Sequence, residues 1–129
     1  MDTGEGITMN KKVLIVDDST FMRMVLRDIV SNNFAVEVIE ADGEENALIA
    51  LRAESPDLVL LDIVMNSSES EGIKILENIK LNYPKVVVIM ITSIGHAAIK
   101  EQCAALGAKG YIQKPFDLDE IKTEINKYI

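Results

Sequence analysis

The chain has 129 residues, a single cysteine and a formal net charge of -8 at pH 7. That length suits one domain whose core can form without disulfides or metals, and its acidic balance disfavours nucleic acid and anionic membranes, which bind proteins mainly through Lys and Arg. No apolar run approaches the roughly 20 residues that span a bilayer, Cys103 cannot form an internal bridge, and no secretory pattern opens the chain; a cytoplasmic setting is expected.

Residues Met1 to Asn10 (MDTGEGITMN) show no periodicity and read as a flexible leader, with one domain expected over residues 11–129. From Lys11 onward, apolar runs at Val13 (VLIV), Val36 (VEVIEA), Leu58 (LVLL), Val86 (VVVIMI) and Gly110 (GYIQ) alternate with segments of helical period, giving five strands and five helices. The first helix is expected from Ser19 or Thr20 to Val30, capped by Asp18 or Ser19, with Phe21, Val25 and Ile29 on its inner stripe. Met22 and Met24 point to opposite sides, and an exposed Met22 beside Arg23 is a candidate partner contact. The second helix spans Glu44 to Glu54 with Ala47, Leu48 and Leu51 inward, and Pro56 marks its end. The third starts near Gly72 with Ile73, Leu76 and Ile79; the fourth carries Ile99, Cys103 and Leu106 on one face before Gly107. Cys103 is therefore a packing residue, and His96, at the head of that helix without a second ligand, belongs to the surface or a cap. The fifth helix follows Pro115 with Leu118, Ile121 and Ile125 inward.

Strict alternation of strand and helix implies a parallel sheet covered on both faces. The first, third and fourth runs are continuously apolar and belong in the middle, whereas Val36 to Glu40 alternates and GYIQ is short, so both belong at edges. The predicted architecture is a doubly wound, flavodoxin-like α/β sheet of order 2-1-3-4-5, with its crevice at the carboxyl ends of the strands.

Polar groups gather at that rim: Asp17 and Asp18 after the first strand, Asp62 after the third, Thr92 after the fourth and Lys114 after the fifth. A single Asp after a strand is ordinarily a helix cap. Three carboxylates converging in one crevice repel each other unless a hard cation neutralises them, and Mg²⁺ suits a site of few carboxylate oxygens used with phosphoryl groups. A carboxylate so placed can act as a nucleophile toward phosphorus, with Asp62 as acceptor, Lys114 as a point charge and Thr92 as a donor.

The motifs VLIVDDSTFMR, EADGEENAL, PDLVLLDIVM, VVVIMITSIG and GAKGYIQKPF, in that order, resemble the receiver domains of two-component response regulators, most closely the single-domain, CheY-like chemotaxis type. The resemblance implies that Asp62 is the phosphoacceptor and that Asp17 and Asp18 hold Mg²⁺ with help from Asp62 and the Val64 backbone carbonyl. It further implies that Thr92 and Lys114 contact the phosphoryl group, that Tyr111 changes pose on activation, and that the Lys114–Pro115 bond is cis. Two positions depart from the pattern. Asn66 stands where such receivers usually carry proline, and Gly72 follows Asp62 by ten positions, two more than usual, making the loop NSSESEG longer. Val64 and Ile94, two residues beyond Asp62 and Thr92, are both apolar; positions of this kind flank the phosphoryl group in receivers.

The function expected is a phospho-acceptor response regulator, a signalling switch and not an enzyme acting on external substrates. It takes phosphate from a histidine kinase and changes partner affinity at the face formed by the fourth helix, fifth strand and fifth helix, chemotaxis being the output to which the resemblance points. A monomer or weak dimer is expected, with output through a separate protein, because the chain stops after the fifth helix. The alternatives are a haloacid-dehalogenase-like phosphatase, whose nucleophile would follow the first strand, a flavodoxin-like cofactor carrier, and a non-phosphorylated receiver acting only as a binding module.

Overall fold

The computed structural model describes residues 10–66, 68 and 70–129; the leader expected over Met1 to Asn10 thus lies outside the described residues except for Asn10. Strands and helices alternate in strict order: β1 (Lys11–Val16), α1 (Thr20–Asn33), β2 (Val36–Ala41), α2 (Glu44–Glu54), β3 (Leu58–Leu61), α3 (Glu71–Asn82), β4 (Val87–Thr92), α4 (Ala97–Ala105), β5 (Gly110–Gln113) and α5 (Leu118–Asn126). The strands form one parallel sheet in the order β2-β1-β3-β4-β5, as the apolar runs and the two edge-like sequences predict.

Because strand side chains alternate with period two, the central strands feed two separate cores. Leu14, Val16, Val59, Leu61, Val88 and Met90 meet Ala47 and Leu51 of α2, Ile75, Leu76 and Ile79 of α3, and Cys103 of α4. On the other face Val13, Ile15, Leu58, Leu60, Ile89, Ile91 and Ile112 meet Leu26 and Val30 of α1 and Ile121 and Ile125 of α5. Each aliphatic side chain so buried contributes on the order of 1.5–3 kcal/mol relative to exposure. Among the described residues no helix is long and apolar enough to cross a membrane.

The inner face of α1 differs from the sequence expectation. Leu26 and Val30 are buried, Met22 and Ile29 pack against them, while Phe21 is 66% exposed and Met24 51%. Ser19 caps the helix, its hydroxyl accepting from the Met22 N–H at 3.1 Å. The run from Phe21 to Leu26 is apolar at almost every angle, so the helical period alone fits two stripes, and contact with the sheet selects the one through Leu26. Met22 is consequently the inward methionine and Met24 the outward one. A second correction concerns Leu118, which is 47% exposed. It occupies the first helical position of α5, where the cap Asp117 accepts from the Glu120 N–H at 2.8 Å. Phe116 before the cap and Ile121 share the same core cluster, the arrangement of a hydrophobic staple, which turns Leu118 outward.

Gly72, buried in the first turn of α3, fixes how this helix meets β3. A Cβ at this position would overlap the Asp62 carbonyl oxygen and stand 2.5 Å from the Ile63 Cα, and the Gly72 N–H donates to the Ile63 carbonyl at 3.0 Å. Backbone therefore lies directly on backbone beside the rim acid. Gly72→Ala is expected to destabilise the fold by at least about 3 kcal/mol, since neither side of the contact can yield; urea unfolding of the two proteins measures it.

Candidate functional site

The carboxyl ends of the strands bring the sequence-predicted residues together. One carboxylate oxygen each from Asp17, Asp18 and Asp62 lies within 4.8 Å of the others. Asp17 and Thr92 are fully enclosed and Asp62 is only 7% exposed, whereas Asp18 faces solvent. The Lys114 ammonium joins two of the acids, donating to Asp17 Oδ2 at 2.8 Å and to Asp62 Oδ2 at 3.1 Å. Its backbone is set by the preceding β5 and by an N–H bond to the Thr92 carbonyl at 2.8 Å, and the Lys114–Pro115 peptide is cis, as the resemblance implies.

Asp17 is held on every side. Its Oδ1 accepts from the Ser19 N–H at 2.9 Å, its own N–H donates to the Ala41 carbonyl at 3.1 Å, and its carbonyl accepts from the Arg23 guanidinium at 2.6 Å. Arg23 also donates to Glu40 Oε1 at 3.1 Å. Sequence reasoning did not assign Arg23 to the site; its spacing one turn after the Ser19 cap was the available signal. Asp18 Oδ2 accepts from the Asn66 N–H at 2.9 Å, a contact that the loop sequence does not announce.

Burial pushes the Asp62 carboxyl above the ordinary Asp range; the Lys114 charge pulls it back in part, and the neighbouring Asp17 charge raises it further. The nearby Thr92 hydroxyl eases it least, and it completes no hydrogen bond to Asp62 Oδ1, a buried oxygen without a partner. Burial works against the Lys114 charge, but the hydrogen bond it donates to Asp17 and the charges of both acids outweigh it, so that its ammonium is held above the usual lysine value. An unpartnered buried carboxylate oxygen costs free energy unless something else satisfies it. That orphaned atom, with two further acid oxygens beside it, fits a hard divalent cation, which takes carboxylate oxygens and tolerates retained waters.

The second group of predicted residues lies on the outward side of Thr92. Its Oγ1 accepts from the Ile94 N–H at 3.4 Å, and the Ile94 carbonyl accepts from the Tyr111 hydroxyl at 2.5 Å. Burial, with lesser contributions from Cys103 and Asp62, pushes the Tyr111 hydroxyl up to about 12, so it remains a donor across ordinary pH. Lys100 of α4 stands over the Tyr111 ring, 5.5 Å from its centroid. Val64 and Ile94 are half-buried and pack against the core cluster that lies under α2, α3 and α4. His96 is exposed at the cap position of α4, and Cys103 is buried, both as expected.

Residues 13–126 match the family model of the response regulator receiver domain. The chain belongs to that family. This receiver is 38% identical over 119 residues to the chemotaxis protein CheY of Bacillus subtilis, covering 92% of this chain and 98% of that protein. It is 36% identical to the sporulation initiation phosphotransferase F of the same organism, covering 94% and 95% of the two chains. Among solved structures, the CheX-CheY-BeF3-Mg+2 complex from Borrelia burgdorferi is similar at a TM-score of 0.82 and 32% identity, with 91% of this chain and 87% of that one covered. The receiver is thus a domain of the two-component signalling type, with the CheY-like fold, and the haloacid-dehalogenase-like and flavodoxin-carrier alternatives fall away.

A raised Asp62 pKa sets the sign of one prediction. In the metal-free receiver the ionised Asp62 costs stability above its folded pKa, and this cost vanishes as pH falls below the ordinary Asp range, where the group is protonated in folded and unfolded chains alike. Asp62→Asn is therefore expected to raise the thermal midpoint in EDTA at pH 7 by roughly 2–5 °C, about the shift of 1 kcal/mol for a domain of this size. Scanning calorimetry at pH 7 and near pH 3, below the ordinary Asp range, should show the gain at the first and its loss at the second.

Proposed function

We propose that the domain, taken as residues 11–129, is a Mg²⁺-dependent phospho-acceptor switch that receives a phosphoryl group on Asp62 from a histidine kinase. The observation that carries the reading is the buried Asp62 carboxylate, linked through Lys114 to Asp17, with Asp18 alongside and one oxygen left unpartnered. Asp17, Asp18, Asp62 and the Val64 backbone carbonyl would hold the cation. Mg²⁺ bound there supplies charge neutralisation for the acids and for an incoming phosphoryl group.

An Asp62 oxygen forms the new P–O bond as the donor's P–N bond to imidazole breaks, the electron pair leaving with the imidazole. Phosphoryl transfer depends chiefly on position and charge, and β3, with Leu58, Val59, Leu60 and Leu61 buried, is a rigid mount for the acceptor. Lys114, already bonded to Asp62, provides a fixed positive charge for the phosphoryl oxygens. The buried Thr92 hydroxyl donates a further hydrogen bond on turning from the Ile94 N–H. That turn is coupled to Tyr111 because both side chains bond the same residue, Ile94, so the new charge at Asp62 alters the face of α4, β5 and α5 that a downstream protein reads.

This activity is signalling rather than turnover of an external substrate, in a cytoplasmic setting, with the receiver a monomer or weak dimer. Similarity to the CheY relatives supports chemotaxis as the output. Incubation with Mg²⁺ and acetyl phosphate is expected to add one phosphoryl mass to wild type and none to Asp62→Asn, read by intact mass spectrometry. An equal gain in both proteins would remove Asp62 from the acceptor role, and no gain in either would favour a module that only binds partners.

The apolar pair Val64 and Ile94 supports a long-lived acyl phosphate, because half-buried aliphatic groups beside Asp62 and Thr92 offer no hydrogen bond to an attacking water. Val64→Asn combined with Ile94→Glu is expected to speed phosphate loss several-fold. Decay of the phosphorylated species after removal of the donor measures it, and an unchanged rate refutes the shielding role.

A further inference from the structure

The lengthened loop after β3 contains a brace on the exposed acid. Met65 and Ser68 exchange backbone hydrogen bonds, N–H to carbonyl at 3.1 and 2.9 Å, closing a tight turn in which Asn66 has φ +52°. Asn and Gly are the residues that adopt this left-handed conformation at low cost. The Asn66 N–H reaches Asp18 Oδ2, and among the described residues no other group bonds that carboxylate. The Asn66 side-chain amide lies 3.3 Å from both oxygens of Glu71. Glu71 Oε2 in turn accepts from the Glu44 N–H at 2.7 Å. That amide opens α2, at an end where the cap residue Gly43 makes no side-chain hydrogen bond. The favourable field of a helix N-terminus holds the Glu71 carboxylate there, and Gly43 leaves room for it, since a Cβ would stand 2.9 Å from Glu71 Oε2.

We propose that Asn66 and Glu71 are positioning residues for the cation site: they tie Asp18 to the start of α2 and hold its carboxylate ready for Mg²⁺. The inference rests on the Mg²⁺ reading above. Asp17 and Asp62 are fixed by Lys114, but Asp18 is exposed and would otherwise sample several rotamers, losing that freedom on binding metal. Groups that orient ligands from behind commonly alter metal affinity by about 10–100-fold. A proline at position 66 could supply neither the N–H nor a positive φ, so the departure from the usual receiver sequence at this position is what makes the contact available.

The full chain is titrated with Mg²⁺ by isothermal calorimetry, using wild type, Asn66→Pro, Glu71→Ala and Glu71→Gln, with folding checked by thermal unfolding in EDTA. Expected are a roughly tenfold weaker Kd for Asn66→Pro, a several-fold weaker one for Glu71→Ala, and recovery toward wild type in Glu71→Gln, whose amide oxygen still accepts both bonds. Wild-type affinity in Glu71→Ala overturns the brace, as does Glu71→Gln as weak as Glu71→Ala. If Asn66→Pro does not fold, the Glu71 pair decides. In the metal-free protein, Glu71→Ala is also expected to shift the Asn66 amide proton resonance, which reports its bond to Asp18. An unmoved resonance overturns the brace independently of Mg²⁺, whereas absence of Mg²⁺ binding by wild type overturns the metal reading instead.

Discussion

Placing carboxylates at the dry end of a sheet is the constraint from which the rest of this molecule follows. Asp17 and Asp62 directly follow the ends of neighbouring strands, with little water to screen them, and like charges at such separation interact far more strongly than at the surface. The Lys114 ammonium is the group that makes their convergence tolerable without metal. It comes from the sheet edge, 97 residues away from Asp17 in sequence, and in the strand order β5 is separated from β3 by β4. The lysine stem must therefore cross the end of β4, where the residue is the small Thr92. A bulky side chain at this position would close the path, so the identity of Thr92 matters sterically as well as through its hydroxyl.

The same constraint couples the interior to the surface. Thr92 is fully buried, and among the described residues its hydroxyl has only the long bond to the Ile94 N–H. Ile94 also carries the carbonyl that receives the Tyr111 hydroxyl, and Lys100 covers the ring from α4. Any change that moves the Ile94 peptide is felt on both sides: inward at Thr92 and outward at the junction of α4 and β5. The short path needs no deformation of the sheet, whose central strands are locked by the two cores.

Much of this was legible in the sequence. Leu58 to Leu61 are apolar without alternation because both faces of β3 are covered, whereas Glu37 and Glu40 interrupt β2 because this strand lies at the sheet edge and is only partly buried, Val36 and Val38 packing on one core and Ile39 on the other. The rim residues were legible because parallel strands of a doubly wound sheet all end at one edge, so polar residues that follow them in sequence must converge. What stayed hidden depends on choices that the helical period does not make. Along α1, Phe21, Met22, Met24 and Val25 are all apolar, and only docking on the sheet decides that Leu26 and Met22 turn in while Phe21 turns out. Leu118 was misplaced for a related reason, since the cap at Asp117 sets the phase of α5. Contacts through backbone atoms, such as Arg23 to the Asp17 carbonyl or the Asn66 N–H to Asp18, leave little mark on residue type at the end that contributes the backbone atom.

The loop between β3 and α3 is accommodated without disturbing the acceptor. Its two ends are immovable: Asp62 is anchored by β3, its N–H donating to the Val16 carbonyl at 3.0 Å, and Gly72 rests on the backbone of Asp62 and Ile63 so closely that no Cβ fits. Extra residues between such points can only bulge outward, and closing a slightly longer loop costs only tenths of a kcal/mol. The bulge then turns back on itself through the paired bonds of Met65 and Ser68, which returns the chain to α3 and aims the Asn66 N–H at the rim. Met65 is itself fully buried in the cluster that contains Ile63 and Ile75, so the turn is rooted in the core at its first residue. The loop thus lies on the solvent side of a fixed hinge, and Asp62 itself is anchored by β3 and by the packing of Gly72.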